Sequence, residues 1–595
     1  MNLQNVLWPK AGVCMDEELY FHKDKKTHLI VGEKENYFCM DEHAMVYSDT
    51  YFNGFSIEKW LKYTKIKNVK VCLKVEGKLN ISICVVQKIN DSFVRKVLEK
   101  RTVISDSMQE VVMEFKDATK GMLYYQMEAL SDNAKFYGGY YLSDVEEKDI
   151  DQVKLGIVIC TFKREKYILH NIDLVKKNII DNPQSSLYKK LKMFISDNGK
   201  TLDAESIRSK DIHIVQNKNA GGAGGFTRGL IEILKSKEDI THVLLMDDDI
   251  VIDTDSIIKT ATILSLLKAE YKDAFIGGAM LRSDQQNIQV ESGASWNAGR
   301  LISLKANLDL RRWEDCLFNE IEEYSEFNAW WYCCFPMSIV TKDNLPLPIF
   351  IRGDDLEYGL RNMKTLILMN GICVWHEPFE NKYSSFLEYY IIRNRIIDNA
   401  CHFPWWGKKQ LIDELVRQFL HEGFLYRYKN IDLYIRGISD FLKGIDWLEQ
   451  QDGEVLHKEI MSSGYKAVPI EQLDVHFDYR QYERGRKEKH SRLHEVIRKC
   501  TLNGYLLPAK HIRIVPMVQA RTEFVWRAKK ILFYDPVEKK GFVTERNFKT
   551  FVSQGINVLK LIVEIEFKYN ARKKEFVSRI GELRNITFWE KYLEI

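Results

Sequence analysis

KLGIVICTFKRE, Lys154–Glu165, is a continuous apolar run that ends on a polar, basic cluster. Because its apolar residues do not alternate with polar ones, it predicts a strand covered on both faces. A helical stretch follows to Lys177, then KMFISDNG (Lys192–Gly199), IHIVQN (Ile212–Asn217), a glycine-rich turn, a helix from Arg228, and HVLLMDDD (His242–Asp249). Strands alternating with helices predict an α/β region over residues 151–400, with a mixed, mostly parallel sheet and helices on both faces. Ligands bind such sheets at the carboxyl ends of the strands. Here those ends carry Thr161 to Arg164, Asp197-Asn198-Gly199, Asn217 to Gly225 and Asp247 to Asp249.

Upstream, residues 1–150 read as a β-sandwich or barrel. VKVCLKVEGKLNISICVVQ (Val69–Gln87) alternates Val71, Leu73 and Val75, then resumes with Leu79, Ile81, Ile83 and Val85 after Gly77-Lys78, which predicts a hairpin. Aromatic runs at Tyr51-Phe52, Phe55 and Tyr137–Tyr141 predict further antiparallel strands. No clustered carboxylate, histidine or nucleophile set stands out, so this part is expected to be a packing or acceptor-gripping module. Downstream, residues 401–595 read as mainly helical, since Leu411–Gln450 shows the 3.6-residue apolar recurrence. A mixed-charge segment, Tyr479–Lys499, and the basic, aromatic EFVWRAKKILFY (Glu523–Tyr534) follow.

The 595 residues are enough for several domains at a typical ~100–200 residues each. A hydrophobic share of 45% with 87 Lys+Arg against 84 Asp+Glu excludes a disordered chain, and 32 Gly with 11 Pro and no repeat excludes a collagen-like one. A net charge of +3 supplies no global field for nucleic acid. Eleven scattered cysteines without CxxC pairs fit reduced thiols in the cytoplasm. The start, MNLQNVLWPKAG, has no signal-peptide pattern, and no stretch approaches the ~18–20 apolar residues of a membrane span, so the chain is expected to be neither secreted nor integral.

Several clusters carry chemistry. Three adjacent carboxylates, Asp247-Asp248-Asp249, repel unless a cation offsets them. In extended backbone Asp247 and Asp249 share a face, and their oxygens suit Mg²⁺ or Mn²⁺; the plain alternative is a solvated acidic turn. NAGGAGGFTRG (Asn219–Gly229) either lets backbone approach an anion before a helix or is a close-packed turn; it fits neither a Walker loop nor a dinucleotide fingerprint. In FIRGDDLEYGLR (Phe350–Arg361), Asp354 and Asp355 either cap a helix or supply a general base. Trp330-Trp331 are either core or a sugar-stacking face, and His376 is either a core histidine or the group that completes the metal site.

In order, TFKR, SDNG, NAGGAGGFTRG, MDDD, WWYCCFP, LPLPIFIRGDDLEYGLR, VWH and YYIIRNR closely resemble the bacterial polymerising galactofuranosyltransferase family, inverting family 2 enzymes of GT-A fold, over residues 154–400. The resemblance implies a barrel-like N-terminal domain, a GT-A nucleotide-sugar domain and a helical C-terminal region. It implies that Asp247, Asp249 and His376 hold Mn²⁺ or Mg²⁺ and that Asp355 is the catalytic base. Arg164, Asp197, Asn219 and Asp247 would contact the UDP of a UDP-galactofuranose donor, and Trp331 and Asp354 would line the acceptor site. The chain departs from the family in Arg352-Gly353, where a bulkier aromatic is expected.

The implied acceptor is a hydroxyl of a growing, lipid-linked cell-surface glycan, which places the enzyme in the cytoplasm, peripheral on the inner face of the membrane. Glu523–Tyr534 would then touch anionic lipid, unless it is a solvated helix face packed on the rest of the chain. A homo-oligomer is left open, and nucleic acid is not an expected partner. Two rivals stand: a rhamnosyl-, galactosyl- or glucosyltransferase of the same fold, and a non-catalytic glycan-binding protein.

Overall fold

A computed structural model describes residues 1–32, 35–90, 92–297, 299–378, 383–487 and 491–595. The chain divides into two compact units, one of residues 1–218, 225–345 and 358–377, the other of residues 219–224, 346–357 and 378–595.

The first unit contains a mixed sheet. Its parallel part runs Ile212–Gln216, Leu191–Asp197, Leu155–Thr161, His242–Asp247, and is followed by the antiparallel Tyr332–Pro336 and then Phe275–Arg282. The register pairs Thr161 with Asp197 and Cys160 with Asp247, so three polar strand ends share one edge. Leu366–His376 runs parallel to Phe275–Arg282, with His376 opposite Arg282. Ile157, Val158 and Ile159 are fully buried, as the unbroken apolar run predicts for a strand covered on both sides.

The glycine-rich stretch differs from expectation. It is not a turn before a helix from Arg228; the helix is Gly221–Lys235 and includes the glycines. Packing overrides their poor helix propensity, because a Cβ on Gly225 would stand 2.0 Å from Cys160 Sγ and one on Gly229 2.2 Å from Val158 Cγ1. Gly229→Ala is therefore expected to lower the melting temperature. Alanine gains about 1 kcal/mol of helix propensity, but overpacking a filled core costs ~1–3 kcal/mol, and the stiff β-branched Val158 has nowhere to turn. A thermal melt decides, and an unchanged or raised midpoint would mean that the helix slides off the strand.

Among the described residues, the same unit begins with a nine-stranded antiparallel, barrel-like sheet. Here the hairpin expected at Gly77-Lys78 is absent, and Lys70–Ile89 is one long strand. Gly77 is instead an irregularity with φ 95°, and a Cβ there would lie 2.8 Å from Ala134 Cα. At that point the strand changes partner, from Ala134–Leu142 over Lys70–Glu76 to Met122–Ala129 over Leu79–Val86, which bends the sheet. Tyr137–Tyr141 lies in a strand as expected, whereas Tyr51-Phe52 forms a turn buried against the core and Phe55 makes a single bridge to Leu123. Lys10 pairs with Asp253 (2.8 Å) and Asp255 (3.0 Å), and Lys259 donates to Gln4 Oε1 at 2.6 Å, tying this sheet to the helix Thr254–Leu266.

The second unit is mainly helical. Leu387–His402, Lys408–Phe424, Tyr428–Leu442 and the long Phe548–Arg579 enclose a core that includes Ile392, Ile396, Leu415, Ile438, Phe441, Ile565 and Tyr569. Leu347 and Ile349 are rooted in the same core. Among the described residues a four-stranded sheet is added, Val468–Pro469, Lys540–Glu545, Ala528–Asp535 and His511–Pro516 in spatial order. This corrects the expectation for Glu523–Tyr534: most of it is an inner strand, with Phe524, Val525, Ile531, Leu532 and Phe533 buried, so its apolar side chains face protein and not lipid. Within Tyr479–Lys499, the helices Tyr479–Lys487 and Arg492–Cys500 are described, while residues 488–490 lie outside the described residues. Among the described residues no helix is long and apolar enough to cross a membrane.

Candidate active site

In the first unit, the chain turns after His242–Asp247 and pairs Val251 with Trp375 antiparallel, which brings Asp249 beside His376. Asp247, Asp249 and His376 each offer a ligand atom, and these atoms lie within 4.8 Å of one another. His376 Nδ1 lies 2.7 Å from the carbonyl oxygen of Glu377, a contact that requires an N–H, so the lone pair of the neutral ring sits on Nε2. Nε2 is 3.2 Å from Asp249 Oδ1. With the ring neutral, that lone pair and the two carboxylates form a donor set that suits Mg²⁺ or Mn²⁺.

Asp248 faces the other way. It is buried, accepts a hydrogen bond from Thr161 Oγ1 at 2.7 Å, and pairs with Arg164 Nη1 at 3.0 Å. Asn171 donates to its backbone carbonyl at 3.0 Å and so fixes the turn. Burial pushes the Asp248 carboxyl above the ordinary range, against the pull of Arg164 and Thr161. Arg164 also pairs with Asp249 Oδ2 at 2.6 Å and is thus a counter-charge for the triplet. The sequence alone assigns no role to Asp248; its partners Thr161 and Arg164 come from the end of the strand Leu155–Thr161, and Asn171 from the helix after it.

Asp197 is fully buried, and its two oxygens accept from the backbone amides of Gly199 (3.0 Å) and Leu202 (2.8 Å). In the structure it shapes the turn after its strand. Trp331 is 5% exposed and donates its indole N–H to the Gly278 carbonyl at 2.9 Å, while Trp330 packs edge-on against Phe226 and Tyr358.

The second unit holds the other carboxylates. Asp354 and Asp355 open the helix Asp354–Asn362, with Glu357 in its first turn. Asp355 Oδ1 accepts from the Leu356 amide at 2.8 Å. Burial pushes the Asp355 carboxyl up, while the Leu356 amide and Arg352 pull it down. Glu357 is fully buried and meets two cationic or donor groups, His402 Nε2 at 3.1 Å and Arg584 at 3.1 Å. Asn219 accepts from the Gly221 amide at 3.2 Å. Gly221, with φ 70°, approaches the Phe350 carbonyl so closely that a Cβ would stand 2.1 Å away, which ties Asn219–Gly224 to the loop before the Asp pair.

The family description Galactofuranosyltransferase 2 N-terminal matches residues 3–141. Galactofuranosyltransferase GlfT2 of Mycobacterium tuberculosis is 24% identical over 492 residues, 74% of this chain and 72% of that one. This chain is a glycosyltransferase related to the galactofuranosyltransferases. The GlfT2 of Mycolicibacterium smegmatis is also 24% identical, over 488 residues, 74% of this chain and 71% of the relative. Among solved structures, the mannosyltransferase PcManGT of Pyrobaculum calidifontis, in complex with GDP-Man and Mn²⁺, aligns at 11% identity and a TM-score of 0.27 over 53% of this chain and 81% of that one, too loose a likeness to inform the site. The fold of this glycosyltransferase is the mixed α/β architecture expected, with a barrel-like sheet, a mixed, partly parallel sheet and a mainly helical C-terminal region.

Proposed function

We propose that this glycosyltransferase moves galactofuranose, with inversion, from UDP-galactofuranose to a hydroxyl of a growing, lipid-linked cell-surface glycan at the cytoplasmic face of the membrane. The observation that carries the metal-dependent part of this proposal is the convergence of Asp247, Asp249 and His376 at the carboxyl edge of the GT-A sheet, beside Arg164. The relatives support the sugar. Bound Mn²⁺ or Mg²⁺ would supply positive charge for the departing diphosphate.

The residues of the chain do the rest. Arg164 adds fixed positive charge beside the triplet, and Asp197 and Asn219 shape the backbone that would meet the nucleotide. Asp355 takes the proton from the acceptor hydroxyl, a task its raised pKa suits, because a more basic carboxylate is the better proton acceptor. Asp354 and Trp331 belong to the acceptor side.

The full chain, given Mn²⁺ and a short lipid-tailed galactofuranoside, is expected to consume UDP-galactofuranose and to lengthen the acceptor by mass spectrometry. UDP-galactopyranose, UDP-glucose and dTDP-rhamnose should be left untouched. Transfer from one of those donors alone would reassign the sugar, and acceptor binding without consumption of any donor would return the chain to the glycan-binding alternative.

A further inference from the structure

The backbone before the Asp pair is unusual. Phe350 (φ 74°), Arg352 (φ 66°) and Gly353 (φ 91°) are all left-handed within four residues. For a bulky residue such as Phe350 that conformation costs ~1–3 kcal/mol and persists only where the surroundings over-determine it. The Phe350 carbonyl accepts from the Ala223 amide at 3.2 Å, and the rest of the segment lies against one face of the helix Leu387–His402, which carries the RNR of YYIIRNR, a motif to which the proposed chemistry gives no role.

Asn394 is 1% exposed, and its amide nitrogen donates to the carbonyls of Arg352 (2.6 Å), Ile351 (2.8 Å) and Ile349 (3.2 Å). Its own oxygen accepts from Arg393 Nε at 2.9 Å, and Arg393 donates to the Ile349 carbonyl at 2.7 Å. One turn further, Asp398 lies beneath Gly353, where a Cβ would stand 2.8 Å from Oδ2. One turn further again, His402 meets Glu357 at 3.1 Å. Positions 394, 398 and 402 form a single stripe with four-residue spacing, and each touches a different part of the segment 349–357. The stripe also accounts for Gly353: both its φ and the Asp398 carboxyl exclude a side chain there, so the bulky residue expected at this place has no room.

We propose that Asn394 is a positioning residue for glycosyl transfer: by holding the carbonyls of Ile349, Ile351 and Arg352, on either side of the left-handed Phe350, it sets the direction in which Asp355 presents its carboxylate. This inference rests on Asp355 being the base. The chemistry selects asparagine. Its NH₂ supplies donors to a cluster of carbonyls, where aspartate would oppose oxygen to oxygen and leucine would leave buried carbonyls without a partner.

The test compares Asn394→Ala, Asn394→Ser and Asp355→Asn in the full chain, measuring kcat, the KM for UDP-galactofuranose, the pH profile and the melting temperature. In Asn394→Ala, kcat is expected to fall roughly 10²-fold, the scale of a catalytic group displaced by about 1 Å, with the donor KM unchanged. Its acidic limb should move down towards the ordinary carboxylate range as the relaxed loop admits water to Asp355. Serine keeps one donor and should fall between; if the alanine chain does not fold, serine decides alone. A folded Asn394→Ala with wild-type kcat and an unmoved acidic limb, beside an inactive Asp355→Asn, overturns the positioning role and leaves the base in place. An active Asp355→Asn overturns both.

Discussion

Asp355→Asn is expected to lose nearly all transfer while keeping metal-dependent UDP binding. A positioned general base contributes typically ~10²–10⁴-fold, and that is the loss in kcat to look for. Asparagine keeps the shape and still offers an oxygen to the Leu356 amide, so a fall in rate reports the missing base and not a broken helix start. The metal ligands proposed above are other residues, Asp247, Asp249 and His376, so the affinity for UDP is expected not to follow the rate. The pH dependence gives a second, signed check. A base works deprotonated, so activity is lost as pH falls through its pKa, and burial places that limb above the ordinary carboxylate range. The limb should vanish from whatever activity Asp355→Asn retains. Retained transfer, or loss of UDP binding in step with transfer, would remove Asp355 from the role.

The substitution has a local consequence as well. Burial, with Glu357, Asp355 and Asp354 adding to it, pushes the Asp398 carboxyl beneath Gly353 well above the ordinary range. Neutralising Asp355 removes one of those charges, and Asp398 should then ionise more readily. The group lies one helical turn from Asn394, so the electrostatics of the Asp pair and the mechanical hold on its loop are carried by the same helix.

What could be read from the sequence, and what could not, divides along physical lines. Leu155–Thr161 was legible because a strand buried on both faces needs an unbroken apolar run, and nothing distant alters that requirement. Gly77 was not, since a two-residue break between alternating runs looks the same whether the chain turns back or bulges; the close approach of Ala134 decides it. Gly221–Gly229 was misplaced because glycine disfavours helices on its own, and only Val158 and Cys160 show why it is required inside one. Ala528–Asp535 looked like a basic surface segment because its sheet partners, His511–Pro516 and Lys540–Glu545, carry no strong strand signal. The acidic clusters were visible as residue types. Asp248 and Asn394 gained their roles only from the structure, because their partners are a hydroxyl, a guanidinium and backbone carbonyls contributed by other segments.

The converse prediction concerns His376. His376→Ala is expected to abolish metal-dependent UDP binding, and transfer with it, in a chain that still folds. Losing a partner that merely orients a metal ligand costs ~10–100-fold in affinity, and losing one of three ligands outright should exceed that. Asp248→Asn is the matched control, adjacent to the set yet turned inward. The amide would lack the charge that pairs with Arg164 but keep an acceptor for Thr161, so its cost belongs to stability, roughly 1–3 kcal/mol for a disturbed buried charged hydrogen bond, while Mn²⁺ affinity stays near wild type. Titrating Mn²⁺ by its electron paramagnetic resonance signal, with UDP binding measured before and after chelation, separates the two. If His376→Ala bound Mn²⁺ and UDP as the wild type does, the imidazole would be an ordinary buried histidine donating to Glu377, and the carboxylates alone would have to hold any cation. If Asp248→Asn instead lost the metal, the alternation that turns Asp247 and Asp249 one way and Asp248 the other would not describe the working site.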